Sequence, residues 1–183
     1  MIDVTLGALA VLTSIVMGLG TTSFMAHEGR EDMHHELYCL ALNAYHEARG
    51  AGMDDMIAVS QVVINRVEFA DDDTTICEVV TEGPVRESWK TKRQKDLPKS
   101  QRVFYPIQDK CQFSWYCDGR SDAVTSRKGW EDAILAAYMV YSGYGEDRVD
   151  GAMYYYAHNT IARPKWAKDM TVTAVLKGHT YLR

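Results

Sequence analysis

At 183 residues the chain is long enough for one domain with a short appendage, and too short for two ordinary domains. Apolar residues at 46% suffice for one core, and 25% charged residues exclude a protein embedded in a bilayer along its length. A net charge of −5 argues against a nucleic-acid binder, so no nucleic-acid partner is expected.

From Val4 to Ala26 no residue is charged. A helix of that length can cross a bilayer core. Gly7, Gly18, Gly20, Thr21 and Thr22 dilute the run, and Asp3 stands where a cleavable signal carries basic residues. Residues 1–26 are read as an apolar N-terminal helix: a signal anchor, or a signal peptide cut between Gly20 and Ala26, with a buried helix of the domain as the third reading. The expectation that follows is an exported protein, inner-membrane-anchored or periplasmic, which meets the membrane through this segment. The charged stretch 27–35 reads as a linker, and 36–183 as the domain.

Leu37, Ala41, Ala44 and Ala48 repeat at helical spacing, and Glu47 falls at the edge of that stripe, beside Leu40. Gly50 and Gly52 supply a stop, and Asp54 or Asp55 the cap of a second helix with Met56, Val59, Val63 and Val67 on its apolar face. Thr74 or Thr75 starts a short third helix that ends at Val80. Residues 83–110 show no clear period and include Pro84, Pro98 and Pro106; they carry eight Lys/Arg against three Asp/Glu. This stretch is expected to be a basic loop or insertion, either solvated or facing anionic wall or membrane phosphates. Trp130, Ile134, Tyr138 and Tyr141 mark the apolar face of a later helix, closed by Gly143 and Gly145. The aromatic run from Ala152 to His158 reads as a strand, in which Tyr154 and Tyr156 share one face and Tyr155 takes the other. There is no internal repeat.

Cys39, Cys77, Cys111 and Cys117 allow three complete pairings, and an exported chain is expected to use them as disulfides; buried free thiols are the other reading. No CxxC spacing is present. His46 and Glu47 begin like a zinc-binding HExxH, but the second histidine is absent, so no metal and no cofactor are expected. Glu47 instead has the address of a general acid: a helix end, an apolar flank and an adjacent turn. Partial burial there disfavours the charged carboxylate. Aromatic residues offer faces for sugar C–H surfaces, and Gln, Asn and Ser side chains can read N-acetyl groups.

The motifs, taken in order, resemble one family: Tyr45-His46-Glu47-Ala48-Arg49-Gly50, Asn65-Arg66-Val67, Cys111-Gln112-Phe113-Ser114-Trp115 with Cys117-Asp118-Gly119, the run Tyr154 to His158, Pro164 with Trp166-Ala167, and Gly178-His179. Together they are similar to the cell wall hydrolase family of the spore-cortex-lytic enzyme SleB, over Glu36 to Arg183. The resemblance implies an α+β, predominantly helical fold of the lysozyme-like, lytic-transglycosylase-like kind with a small β-sheet. It implies peptidoglycan glycan strands as the partner, Glu47 as the catalytic residue, and Gln112, Ser114, Trp115, Tyr156 and His158 as positions near the cleft; Phe113 and Trp166 join them as substrate-binding candidates because their aromatic faces can stack on sugars. Members of the family often carry a second acid after the glycine of the glutamate block; here Ala51 stands there. Asp118 is the candidate second carboxylate.

The expected function is peptidoglycan cleavage at the MurNAc–GlcNAc bond, as a lytic transglycosylase or a muramidase-like hydrolase. A monomer is expected, and a phage lysis enzyme is the favoured setting. The competing readings are a non-catalytic peptidoglycan-binding envelope protein and a metallo-amidase or peptidase.

Overall fold

The computed structural model describes residues 28–71 and 73–183, with side chains from residue 33 onward. The expected anchor or signal at 1–26 lies outside the described residues. Among the described residues no helix is long and apolar enough to cross a membrane. The chain divides into a unit that ends at His35 and a compact unit, Glu36–Arg183. Residues 28–35, expected as a linker, are helical, because helix α1 spans Glu28–Ala48. Glu, Arg and Met favour that state, and no proline interrupts it.

Within the compact unit α1 buries Leu40, Ala41, Ala44, Tyr45 and Ala48. Gly52, at φ 108°, turns the chain into α2, Met53–Phe69. Neither Asp54 nor Asp55 caps this helix. Thr75 caps α3, Ile76–Val80, through a reciprocal capping box with Glu78. Helix α4, Trp89–Lys92, lies between strands β1, Val85–Glu87, and β2, Phe104–Pro106. Helix α5, Arg127–Tyr141, packs against α2 and is capped by the Ser126 hydroxyl. Its buried face is Ala133, Ala136 and Ala137; of the expected Trp130–Ile134–Tyr138–Tyr141 stripe, Trp130 packs partly buried against the core and the other three are largely exposed. Small side chains let α5 approach α2 closely, and an aromatic stripe would hold the helices apart.

Strands β3, Tyr154–Tyr156, β4, Val172–Val175, and β5, Thr180–Leu182, form an antiparallel sheet in the order β3-β5-β4. Central β5 is buried along its length. The sheet is tied to α2 at two places. Asn65 Nδ2 donates to the Ala152 carbonyl and Arg66 Nε to that of Met153. Asp55, 1% exposed, accepts from the Gly178 amide, from His179 Nδ1 at 2.9 Å and from the Tyr181 hydroxyl. Gly178 is required by this approach, since a methyl group there would stand 2.6 Å from Ala51 Cβ and 3.3 Å from Asp55 Oδ1.

The basic stretch 83–110 is ordered, contrary to the expectation of a loop. β1 and β2 pair in antiparallel register, and Arg102 donates to Glu87 and to the carbonyls of Leu97 and Lys95. Three-residue strands leave too short a trace for a period of two to be read. All four cysteines are paired, Cys39 with Cys77 and Cys111 with Cys117.

Two stability measurements check this account. Replacing Asp55 by Ala strands the buried Gly178 and His179 donors, while the Tyr181 hydroxyl keeps the backbone carbonyl of position 55, and is expected to cost about 3 kcal/mol in urea unfolding. The paired substitution Cys39→Ser/Cys77→Ser opens a closure spanning 38 positions and is expected to lower stability by about 2–4 kcal/mol in the same assay.

Candidate functional site

The last turns of α1 send consecutive side chains to different walls of one cleft. Asn43 Oδ1 accepts from Trp115 Nε1 at 2.9 Å and so fixes the short 3₁₀ turn Ser114–Cys117. The buried Tyr45 hydroxyl accepts from the amides of Thr125 and Ser126, which holds the opposite rim and the start of α5. The His46 ring stacks on Trp115 at 4.6 Å, and its Nε2 meets the Asp122 carbonyl oxygen. Glu47 then projects into the cleft, a hollow of about 390 Å³ whose rim also carries Ser114, Asp118, Arg120 and Asp122.

The Glu47 carboxyl is partly buried, and its pKa is raised from 4.5 to about 7. Burial is the dominant cause; Tyr155 and the Arg66 guanidinium pull the other way. The Tyr155 hydroxyl is shielded from water and close enough to act on this carboxyl, but it completes no hydrogen bond. The contact between them is electrostatic. Burial and the nearby Glu47 charge drive the Tyr155 pKa well above its ordinary range, which keeps its proton in place. Arg66 sits over the Phe113 ring at 5.1 Å and the Tyr154 ring at 5.5 Å.

The structure brings together Glu47, Ser114, Trp115 and Asp118 in one cleft. Trp115 is only 8% exposed and one of its faces is covered by His46, so it is a wall more than a free stacking platform. Phe113 corrects the expectation of a substrate contact: it is 2% exposed and packs beneath Arg66 and Tyr155. Gln112 and Trp166 line a neighbouring hollow of about 320 Å³ with Arg66, Tyr154, Tyr155 and Met170. Tyr156 meets Trp166 edge to face, as the strand alternation requires, with Tyr154 on the same side. His158 Nδ1 is paired with the Thr180 hydroxyl and borders neither hollow. The Asp118 carboxylate accepts from the Arg120 amide.

The residues that sequence reasoning passed over are Tyr155, the inward member of the tyrosine run, and Asp55, expected as a helix cap. Strand alternation separates Tyr155 from its neighbours but does not reveal which face turns toward Glu47. The ligand-type side chains of the cleft form no prepared metal set, since His46 is stacked and bonded to a carbonyl.

The raised pKa has a consequence for stability with a definite sign. The folded carboxyl holds its proton to a higher pH than the unfolded one. Its effect on stability is nil while both states are protonated, grows unfavourable as pH rises from about 4.5, and is complete above about 7. Glu47→Gln removes this cost. It is expected to unfold at higher urea than the wild type near pH 8, by about 2 kcal/mol after allowance for partial exposure, with the gap closing near pH 4.

The Cell Wall Hydrolase family model matches residues 50–182, a span that begins at Gly50, the last residue of the glutamate block, and does not include Glu47. Among solved structures, the catalytic domain of the germination-specific lytic transglycosylase SleB from Bacillus anthracis is 21% identical. The match covers 81% of this chain and 93% of that one, with a TM-score of 0.50. The catalytic domain of the Bacillus cereus SleB protein is 18% identical over 82% of this chain and 91% of that one, with a TM-score of 0.49. No curated protein matches the chain. The family match spans well over half of the sequence, and the chain belongs to the cell wall hydrolase family as a peptidoglycan-lytic enzyme with the mixed helix and small-sheet fold described above.

Proposed function

We propose that this enzyme cleaves peptidoglycan glycan strands at the MurNAc–GlcNAc bond as a lytic transglycosylase, with Glu47 as both acid and base. The observation that carries the proposal is a carboxyl held near neutrality by burial, at the wall of an open polar cleft, with no cation closing an ion pair on it among the described residues. In the first step the protonated Glu47 gives its proton to the glycosidic oxygen as the bond to the anomeric carbon breaks. In the second, the Glu47 carboxylate takes the proton of the C6 hydroxyl as that oxygen attacks the anomeric carbon. An anhydro sugar forms and no water is consumed, so one carboxyl group suffices. Ser114 and Asp118 are placed to hold polar groups of the sugar in the cleft, and Gln112, Tyr154 and Trp166 to hold a neighbouring sugar in the adjoining hollow.

Hydrolysis is the second reading, and Asp118 is the observation that favours it, since it shares the cleft with Glu47. A hydrolase uses such a second carboxylate as a nucleophile or to activate water. The pairing of all four cysteines supports an oxidising compartment and hence export to the wall. We place the enzyme there as a monomer, held at the inner membrane or released into the periplasm.

Mass spectrometry of fragments released from purified peptidoglycan separates these readings. Anhydro-muropeptides from the wild type and from Asp118→Asn, with less than about a tenth of the rate left in Glu47→Gln, is the expected result; general acid catalysis contributes about 10²–10⁴-fold. Reducing-end sugars that vanish in Asp118→Asn establish hydrolysis instead, and cleaved peptide stems overturn glycan cleavage altogether. The rate of the wild type is expected to fall as pH rises through about 7, where Glu47 loses the proton it must donate.

A further inference from the structure

The excursion from Gly83 to Lys110 takes no part in the cleft, and its composition is unlike the rest of the chain. It carries eight basic residues against three acidic in a protein whose net charge is −5. Its internal order uses polar contacts. The Ser88 amide donates to the Val103 carbonyl, Ser88 and Thr91 are its buried side chains, and Arg102 braces Glu87, Leu97 and Lys95. Its neck is closed where the Ile107 amide meets the Pro84 carbonyl and where Gly83 packs against Cys111.

The apolar side chains of the excursion are left outside this framework. Trp89 is 64% exposed, Tyr105 54% and Phe104 49%, and Val85 and Val103 are exposed with them. In the β1–β2 register Val85 and Phe104 fall on one face of the ribbon and Arg86 and Tyr105 on the other, so neither face is buried by a neighbour. Exposed apolar groups on one short excursion mark an interaction site. Lys90, Lys92, Lys95 and Lys99 are exposed on the same excursion, and the Arg93 guanidinium lies over the Trp89 ring at 5.7 Å.

We propose that this hairpin docks the enzyme on an anionic lipid bilayer surface, its aromatic side chains at headgroup depth and its lysines against the lipid phosphates. Charge complementarity selects an anionic partner. The aromatics select lipid over a hydrophilic polyanion, because Trp and Tyr gain most at the boundary between polar headgroups and acyl chains. Docking would hold a wall-cleaving enzyme at the membrane face of its substrate.

The test is sedimentation of the full chain with vesicles of phosphatidylcholine, alone or mixed with phosphatidylglycerol. Three proteins are compared: wild type, Lys90→Gln/Lys92→Gln/Lys95→Gln, and Trp89→Ser/Phe104→Ser. Lipid is kept at the concentration that binds half of the wild type, so that any contribution of residues 1–27, common to all three, cancels in the ratios. Each lysine lost is expected to weaken binding to the anionic vesicles about fivefold, so the triple variant loses about a hundredfold and most of the preference for anionic lipid. The aromatic variant is expected to lose at least about tenfold, and wild-type binding to weaken with added salt. Equal retention of all three proteins overturns the proposal. So does an aromatic variant that binds as the wild type does while soluble polyphosphate displaces both, since that identifies a polyanion reader. Cleavage of soluble glycan fragments by the variants is expected to be unchanged, which reports folding and keeps this test separate from that of the Glu47 chemistry.

Discussion

The last two turns of α1 are the constraint on which the site depends, because they set the walls of the cleft and the carboxyl within it. At about 100° per residue Asn43, His46 and Glu47 fall on one face of the helix, and Tyr45 points away from it. Three of them are spent on structure: Asn43 on Trp115, Tyr45 on the 125–126 backbone, and His46 on Trp115 and Asp122. Glu47 inherits a cleft already bounded by the Trp115 turn and the 122–126 rim. Displacing any wall would admit water to Glu47, and burial is the main cause of its raised pKa. The proposed chemistry thus rests on packing around the carboxyl more than on any group bonded to it.

The remaining wall comes from a sheet about a hundred residues further along the chain, and its position depends on α2. Asn65 and Arg66 grip the carbonyls of Ala152 and Met153 immediately before β3, which sets the phase of the strand and turns Tyr155 inward. Asp55, about three turns earlier, holds the Gly178-His179 turn that leads into β5, the partner of β3. The Tyr155 ring then packs against His179 and Tyr181 as well as Phe113. A one-residue slip of β3 would bring Tyr154 or Tyr156 toward Glu47 and send Tyr155 toward Trp166, since the side-chain period of a strand is two.

The sequence announces these elements unevenly, for physical reasons. The α1 stripe and the edge position of Glu47 are legible because helical period and burial coincide there, and the split of Tyr154 and Tyr156 from Tyr155 follows from strand geometry. Helix α5 misleads because its apolar aromatics are larger than the alanines that face the core; close helix approach rewards small volume over hydrophobicity. Asp55 misleads because a carboxylate early in a helix reads as a cap, and only tertiary contact with His179 and Gly178 makes it a buried acceptor. Phe113 sits inside a motif rich in polar residues, yet it points into the core while Ser114 faces the cleft. The Cys39–Cys77 pairing depends on a contact distant in sequence, which periodicity does not encode, and the three-residue strands of the basic hairpin are too short to show a period.

The influences on Glu47 oppose one another, and the proposed reaction needs that opposition. A carboxyl raised far by burial alone would stay protonated but be a weak acid, because the medium disfavours the carboxylate it leaves behind. A carboxyl paired with a cation would be ionised before the first step. Burial pushes Glu47 up, while Tyr155 and Arg66 hold it back near 7 without a closed ion pair. Acid and carboxylate then differ little in free energy at neutral pH, and Brønsted behaviour makes that the best compromise for one group that must give a proton in one step and take one in the next. Tyr155 suits this role because its own proton stays bound. Its unpaired hydroxyl is free to donate to the carboxylate once Glu47 has given its proton away, so the charged form is met by a donor at the moment it appears.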